Sequence, residues 1–252
     1  FLGTLPFLKT GMDGLINPID SNFPLYPIDF FSNIFYVWWP FFPIFGTDVS
    51  AYAVPAIPYY SAIAFLAFIG LPTSLIQRIL FILLFSLQGW SMYHLTSTLV
   101  TDSNRRLACI LSALFYMYNP LTVALFRHAV IPSTLVIAMA PLVLSLFIRG
   151  LNEKHESRKY IFLIGLLSMT QVVSNIQWTV NQMFFPGLYL VFHVLLYRSK
   201  KEALRSLRFA GATAVTCLFV NLWWILPVLG GFRHLYEVQT GSISFLQSLI
   251  FT

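Results

Sequence analysis

One carboxylate in the amino-terminal part of the chain has a setting that suits acid–base chemistry. Asp20 lies in the run NPIDSNFPLYP, where Pro18, Pro24 and Pro27 fix φ and stiffen the backbone. A stiff loop at a membrane surface can hold a carboxylate above a lipid head group, where it can act as general base on an acceptor hydroxyl. The commoner role of such an Asp is to close a turn through its own backbone. Both interpretations of Asp20 stay open at this point.

Asp29 is the second candidate for a catalytic carboxylate. It opens the aromatic run IDFFSNIFYVWWP. In that position it would also suit the N-cap of an interfacial helix, because its side chain could accept hydrogen bonds from the first turn. The capping role is the favoured interpretation.

Four cationic or ionisable side chains are candidates for binding a phosphate. The planar guanidinium of arginine matches phosphate oxygens, and the candidates are Arg127, His128, Arg78 and Arg233. The commoner explanation is that these side chains reach from apolar helices to the membrane interface.

Other polar and aromatic residues indicate a functional role less strongly. We assign Trp38, Trp39, Asn175 and Asn181 to a substrate groove, although contact with solvent would also explain the two asparagines. His94 and His193 are lone imidazoles within apolar stretches, and we expect each to be hydrogen-bonded between helices. The sequence contains no Gly-rich phosphate loop, His-Glu zinc motif or serine nucleophile elbow, so it does not support a site for ATP or a sugar nucleotide.

The elements that must position these side chains are membrane helices. Hydrophobic residues make up 58% of the chain and charged residues 10%, against about 25% in a soluble domain. A helix needs about 20 apolar residues to cross a bilayer, and the uncharged intervals of this length after Arg78 are 79–101, 107–126, 128–148, 160–197 and 209–232. The longest interval can hold two helices, so we predict six transmembrane helices over 79–232. Because these runs lack the alternation of barrel strands, the predicted fold class is all-α, a polytopic transmembrane helix bundle.

The basic residues indicate how this bundle is oriented. Eleven of the fifteen Lys and Arg fall within 105–106, 149–159 and 198–208. Two predicted helices separate each group from the next, so all three groups lie on one face, which the positive-inside rule makes cytoplasmic. The net charge of +6 is therefore a topology signal, and we predict no nucleic-acid partner.

The amino-terminal segment has a different composition from the rest. Residues 10–50 hold four of the nine acidic residues, no Lys or Arg, five prolines and eleven aromatics. Pro55, Pro58 and Pro72 interrupt residues 52–72, which we predict to be re-entrant or interfacial. That leaves residues 10–50 outside, as a loop with an interfacial helix near Trp38 and Trp39. If residues 52–72 crossed instead, the loop would be cytoplasmic.

The order of motifs resembles a known family. Five motifs follow one another along the chain. They are an Asp-led loop at Asp20, the pair Trp39-Pro40, the turn Gly70-Leu71-Pro72 with Gln77-Arg78, the aromatic run from Phe115 to Pro120 that ends in Asn-Pro, and the Trp-Trp-Ile-Leu-Pro run from Leu222 to Pro227. This series is similar to the amino-terminal membrane domain of the α-(1→3)-arabinofuranosyltransferases and their archaeal relatives, which are GT-C glycosyltransferases.

The resemblance implies a function. A carboxylate of the first external loop, here Asp20, would deprotonate an acceptor hydroxyl, while the arginines named above stabilise the departing lipid phosphate. The implied partners are a polyprenyl-phosphate-linked sugar donor, a glycan acceptor and membrane lipids. The family loop tends to have a second acid soon after the first, whereas Ser21, Asn22 and Phe23 follow here. We predict no cofactor, with a divalent cation left as an open alternative.

Two other functions are compatible with the composition. A transporter or lipid flippase would explain the polytopic architecture and His94 and His193, although the sequence has no internal repeat. A non-catalytic membrane subunit would explain the missing second acid. The chain begins at Phe1 without Met and stops at Thr252, so we expect a single-domain fragment of a longer protein.

Overall fold

The chain folds into helices, as its composition predicts. The structure is a computed structural model that describes residues 14–15, 23–34, 38–39, 47–48, 50–127, 131–153, 157–171, 176–196 and 200–250. Its helices are α1 (Pro27–Ile34), α2 (Ser50–Phe68), α3 (Thr73–Leu99), α4 (Arg105–Met117), α5 (Pro120–Arg127), α6 (Ile131–Asn152), α7 (Ser157–Gln171), α8 (Ile176–Leu196) and α9 (Lys200–Ile250). The two-residue strands β1 (Trp38–Trp39) and β2 (Thr47–Asp48) pair antiparallel.

The helices include segments that can cross a bilayer. In the described part of the chain, three are long and apolar enough: Thr73–Leu99, Thr134–Asn152 and Lys200–Leu226. The stretches Ile57–Phe68 and Gln182–Leu196 are apolar but shorter. This confirms the predicted all-α membrane bundle, whereas the count of six transmembrane helices stays a prediction. The 51 residues of α9 rise about 75 Å, more than twice the hydrocarbon thickness of a bilayer, so only part of α9 can lie in it.

A tight turn joins α2 to α3. Gly70 has a φ of +90°, and its N–H donates to the carbonyl of Ala67 at 2.9 Å, while the N–H of Leu71 donates to that of Leu66 at 3.2 Å. This pair of bonds closes a helix with a glycine in the left-handed region. Pro72 follows, and α3 begins one residue later. The Gly-Leu-Pro motif is therefore the corner that folds α2 back towards α3.

The interval 107–126, for which we predicted one helix, contains α4 and α5. Pro120 lacks an N–H and is the first residue of α5. The side-chain oxygen of Asn119 accepts a hydrogen bond from the N–H of Thr122 at 2.9 Å, which caps the new helix. An uncharged run gives no sign of such a break, because Asn and Pro carry no charge.

Two local predictions in the amino-terminal segment are wrong. The interfacial helix expected near Trp38 and Trp39 is not there: β1 contains both, with Trp38 opposite Asp48 and Trp39 opposite Thr47. The helix of this segment is α1, which begins earlier because Pro27 suits its first position. Pro55 and Pro58 do not break α2, which runs through both. Whether α2 is re-entrant, interfacial or crossing stays a prediction.

Two buried clusters hold the bundle together. The first, which we call the amino-terminal cluster, joins Phe23 to residues of α2 and α3, and residues of α1, α4 and α6 pack against it. The second joins α6, α7 and α9 around Leu151, Ile164 and Phe209. Between the two clusters, α3 packs against α6.

The three basic groups meet at one end of the bundle. Arg149, at the end of α6, donates from Nε to the hydroxyl of Thr98 at 3.0 Å, near the end of α3. Arg205 of α9 donates from Nη2 to the carbonyl of Leu151 at 2.9 Å. Because α4 begins at Arg105, shortly after α3 ends, this is the end at which all the basic loops lie. We refer to it as the basic end.

Candidate functional site

The amino-terminal cluster fixes the segment that follows Asp20. Phe23 is only 5% exposed and shares the cluster with Tyr59 and Tyr60 of α2 and Ile76 of α3. The ring of Phe30 in α1 lies 4.6 Å from that of Tyr60, centroid to centroid. Burial of these rings stabilises the segment against α2 and α3, since each large apolar side chain contributes about 1.5–3 kcal/mol when it is fully buried. The chain immediately after the candidate loop is therefore fixed to the bundle.

Of the two candidate carboxylates, only Asp29 lies within the described residues. Asp20 lies in residues 16–22, outside the described residues. Asp29 is exposed in the first turn of α1, and its backbone carbonyl accepts hydrogen bonds from Ser32 Oγ at 2.8 Å and Asn33 Nδ2 at 2.9 Å. Because α1 begins at Pro27, Asp29 is its third residue and not its N-cap. Its carboxylate still suits the positive end of the helix dipole.

Among the candidate phosphate ligands, Arg78 has a described side chain. It is half-buried in α3, two residues after Ile76 of the amino-terminal cluster and next to the fully buried Gln77. Asp20 precedes Phe23 by three residues, which span at most about 10 Å. Phe23 and Ile76 share one cluster, so the described residue that follows Asp20 most closely packs in the same cluster as a neighbour of Arg78 in α3.

The other candidates are located only by their backbones or lie outside the described residues. Arg127 ends α5, Arg233 lies within α9, and Asn181 lies within α8; their side chains are not among those described. Trp38 and Trp39 form β1, again without described side chains. His128 and Asn175 lie outside the described residues. Whether these residues meet Asp20 stays a prediction.

An apolar groove of about 440 Å³ lies between α3 and α4. It is open to the surroundings of the bundle, and Gly89, Trp90, Ala113 and Met117 are among its lining residues. A Cβ atom at Gly89 would overlap the Met117 sulfur, so the glycine allows the two helices to approach there. Met117 also packs against the amino-terminal cluster. One residue that lines the groove therefore also packs against the cluster that holds Phe23.

A polar network beside this groove was not predicted from the sequence. Gln88 of α3 is fully buried, and its Nε2 donates to Thr122 Oγ1 at 2.7 Å. Asn119 Nδ2 donates to the carbonyl of Tyr116 at 2.6 Å and to Thr122 Oγ1 at 2.8 Å. The sequence signal for this network is the presence of uncharged polar residues in apolar stretches. The sequence does not indicate that these residues contact each other, and only the fold shows it.

His94 is hydrogen-bonded between helices, as expected. Its Nδ1 lies 3.0 Å from Ser145 Oγ of α6, and Thr98 Oγ1 lies 2.8 Å from the same hydroxyl. Since Arg149 donates to Thr98, the network extends to the basic end. His193 stacks on Tyr189 with ring centroids 5.8 Å apart. Both contacts tie helices or turns together and lie apart from the amino-terminal cluster.

No group of three or more His, Cys, Asp or Glu side chains that could hold a metal ion occurs among the residues whose positions are described. Cys109 and Cys217 are free thiols. The described part of the site thus consists of a fixed loop anchor, a half-buried arginine and an apolar groove.

One comparison with known proteins identifies a family. The profile of the α-(1→3)-arabinofuranosyltransferase N-terminal GT-C domain matches residues 19–235, from just before Asp20 to just after Arg233. Comparisons with curated proteins and with solved structures give no match. Since the matched range covers most of the chain, this protein belongs to the family of the N-terminal GT-C domain of α-(1→3)-arabinofuranosyltransferases, and is a membrane glycosyltransferase.

Proposed function

We propose that the domain transfers a sugar from a polyprenyl-phosphate donor to a glycan acceptor at the outer face of the membrane. The observation that carries the proposal is the burial of Phe23 in the amino-terminal cluster, because it fixes the chain beside Asp20 to the start of α3. The family match makes sugar transfer the reaction, and the buried Phe23 supports a site at this end of the bundle.

In the proposed reaction, Asp20 takes the proton of an acceptor hydroxyl. The hydroxyl oxygen then forms a bond to the anomeric carbon of the donor, and the bond from that carbon to the phosphate oxygen breaks. The prenyl phosphate leaves with the electron pair, and Asp20 later releases the proton to solvent. Arg78 is proposed to stabilise the charge that develops on the phosphate, together with Arg127, His128 and Arg233.

The groove between α3 and α4 supports a lipid-linked donor. Its lining is apolar, it opens to the surroundings of the bundle, and Met117 connects it to the amino-terminal cluster. We propose that the prenyl chain lies along this groove while the phosphate reaches the start of α3. Trp38, Trp39, Asn175 and Asn181 are proposed to line the acceptor side.

The direct test is the change Asp20→Asn in the purified protein. The amide has nearly the shape of the carboxylate but cannot accept the proton, so we expect the rate of transfer from a prenyl-phosphate sugar to fall by about 10² to 10⁴-fold. Radiolabelled sugar transferred to the acceptor is the measurement, and an unchanged thermal midpoint would show that the bundle is intact.

Asp102→Asn is the matched control. Asp102 is exposed after the end of α3, about 40 Å from the start of that helix, and its loss should leave the rate within about twofold. Asp29→Asn tests the second carboxylate in the same assay. Normal transfer by Asp20→Asn would rule out Asp20 as the base, and movement of the donor across liposomes without transfer would favour a flippase.

A further inference from the structure

A second cavity lies at the basic end, far along α3 from the amino-terminal cluster. It has a volume of about 300 Å³ and lies between the end of α6, the start of α7 and the first turns of α9. The residues that matter for its chemistry are Glu153, Arg158, Arg205, Ser206, Arg208 and Phe209. None of them has a role in the proposed transfer reaction.

The cavity carries a surplus of positive charge. Among the residues that the structure describes, three arginines and one glutamate line it, and together they carry a formal charge of +2. The Glu153 carboxylate accepts a hydrogen bond from Tyr160 Oη at 2.7 Å. Arg158 and Arg208 make no hydrogen bond or ion pair within the described part of the chain. Their guanidinium groups, each with five N–H donors, suit the oxygens of a phosphate.

Arg205 and Ser206 give this surface a fixed geometry. Arg205 donates from Nη2 to the carbonyl of Leu151 at 2.9 Å, which holds its guanidinium at the end of α6. Ser206 is 1% exposed, and its Oγ has no hydrogen-bond partner among the residues that the structure describes. Thr213, two turns later on the same helix, donates back to the carbonyl of Phe209 at 2.9 Å. A buried hydroxyl normally finds a partner, and Ser206 is one of the residues that line the cavity, so a polar ligand bound there would supply one.

Apolar residues also line the cavity, among them Leu151, Ile161 and Phe209. A Cβ at Gly150 would overlap the Phe209 ring, so the glycine lets Phe209 pack on the end of α6. Phe209 is buried against Phe147. Leu204 and Leu207, on either side of Arg205 and Ser206 in α9, are about half exposed. A ligand with a phosphate and an attached apolar chain fits this combination better than a free anion.

We propose that this basic cavity, lined by Arg158, Arg205, Arg208 and Ser206, binds the phosphate of an anionic phospholipid from the leaflet that adjoins the basic loops. Basic pockets between transmembrane helices at their cytoplasmic ends are suited to anionic head groups. The bound lipid would bridge α6, α7 and α9 at the point where those helices meet. This binding does not depend on Asp20 or on the transfer reaction.

Native mass spectrometry of the protein in micelles with phosphatidylglycerol or phosphatidylcholine tests the proposal. The wild type should retain one phosphatidylglycerol at concentrations at which it retains no phosphatidylcholine. The double change Arg158→Gln and Arg208→Gln should weaken this binding about 30-fold, from about fivefold for each arginine. Both side chains are exposed, so the fold should survive, which an unchanged thermal midpoint in phosphatidylcholine would verify.

The double change Arg105→Gln and Arg106→Gln is the matched control. It removes the same charge from the same end of the bundle without touching the cavity, and should weaken the retained lipid less than threefold. Ser206→Ala, which keeps every charge, should weaken it severalfold.

Three results would overturn the proposal. Equal losses in the two double variants would mean diffuse attraction of lipid to the basic end. Unchanged binding by Ser206→Ala would remove the assigned hydroxyl contact. Displacement of the lipid by millimolar inorganic phosphate would mean that the cavity selects a free anion and not a phospholipid.

Discussion

Single polar residues have more than one role in this apolar bundle. Asn119 caps α5 through its Oδ1 and donates through its Nδ2 to Thr122 and to the carbonyl of Tyr116. Thr122 in turn accepts from Gln88 of α3. Lipid offers no replacement partner for any of these groups. One side chain therefore starts a helix and also joins it to a neighbouring helix.

This dual role makes Asn119 sensitive to substitution. We expect Asn119→Ala to destabilise the protein by about 1–2 kcal/mol, the usual cost of losing an N-cap, and to lower the midpoint of thermal unfolding in detergent. Asn104→Ala is the matched control, because Asn104 precedes α4 without a capping hydrogen bond from its side chain, and its loss should change the midpoint little. Equal shifts in the two variants would contradict the role assigned to Asn119.

At the scale of helices, the sequence predicts which stretches form apolar helices better than it predicts where those helices begin and end. The uncharged intervals locate α3, α6 and the first half of α9, because burial in lipid excludes charge over the length of a membrane helix. They miss the break at Asn119 and Pro120, which depends on a cap, and they do not predict that α2 continues through Pro55 and Pro58. Whether such a residue ends a helix depends on how the neighbouring helices pack.

The candidate site was predictable to a similar extent. The motif order points to Asp20, which lies within the range that the family profile matches, and its catalytic role stays a prediction. The sequence does not predict which polar side chains form hydrogen bonds between helices. His94 and Ser145, for example, are 51 residues apart in the chain. The lining of the α3–α4 groove is also invisible in sequence, since it depends on how closely Gly89 lets α4 approach.

The groove between α3 and α4 allows a prediction at this scale. Ala113→Phe should fill part of the groove, and we expect the KM for a long-chain prenyl donor to rise about tenfold, with a smaller rise for a donor of two or three isoprene units. Val191→Phe on the exposed surface of α8 adds a ring away from the groove and should leave both KM values unchanged. An equal effect on long and short donors would mean that the prenyl chain binds elsewhere.

At the scale of the whole molecule, the two ends of the bundle differ in charge. The amino-terminal cluster lies at the start of α3, and the basic residues of α6, α7 and α9 gather where α3 ends. The length of α3, about 40 Å, is enough to separate these ends by a bilayer. Asymmetry of this kind supports a topology with the candidate loop outside and the basic end in the cytoplasm.

Labelling of single cysteines in intact cells tests this topology. We expect Ser32→Cys, exposed on α1, to react with a membrane-impermeant maleimide. Asn104→Cys, exposed beside the basic residues of α4, should react only after permeabilisation. Cys109, which is buried, and Cys217 are first replaced by alanine. Labelling of Asn104→Cys alone in intact cells would reverse the topology and place Asp20 in the cytoplasm.

The composition of the amino-terminal cluster also bears on how the protein is made. A chain grows from its amino terminus, so Phe23 leaves the ribosome before α3 and well before Leu135 of α6, which packs against the same cluster. The packing around the amino-terminal cluster is therefore not complete until α6 has been inserted. Completion of the amino-terminal cluster is therefore a late step of biogenesis, because α6, from the middle of the chain, packs on a segment that was synthesised first.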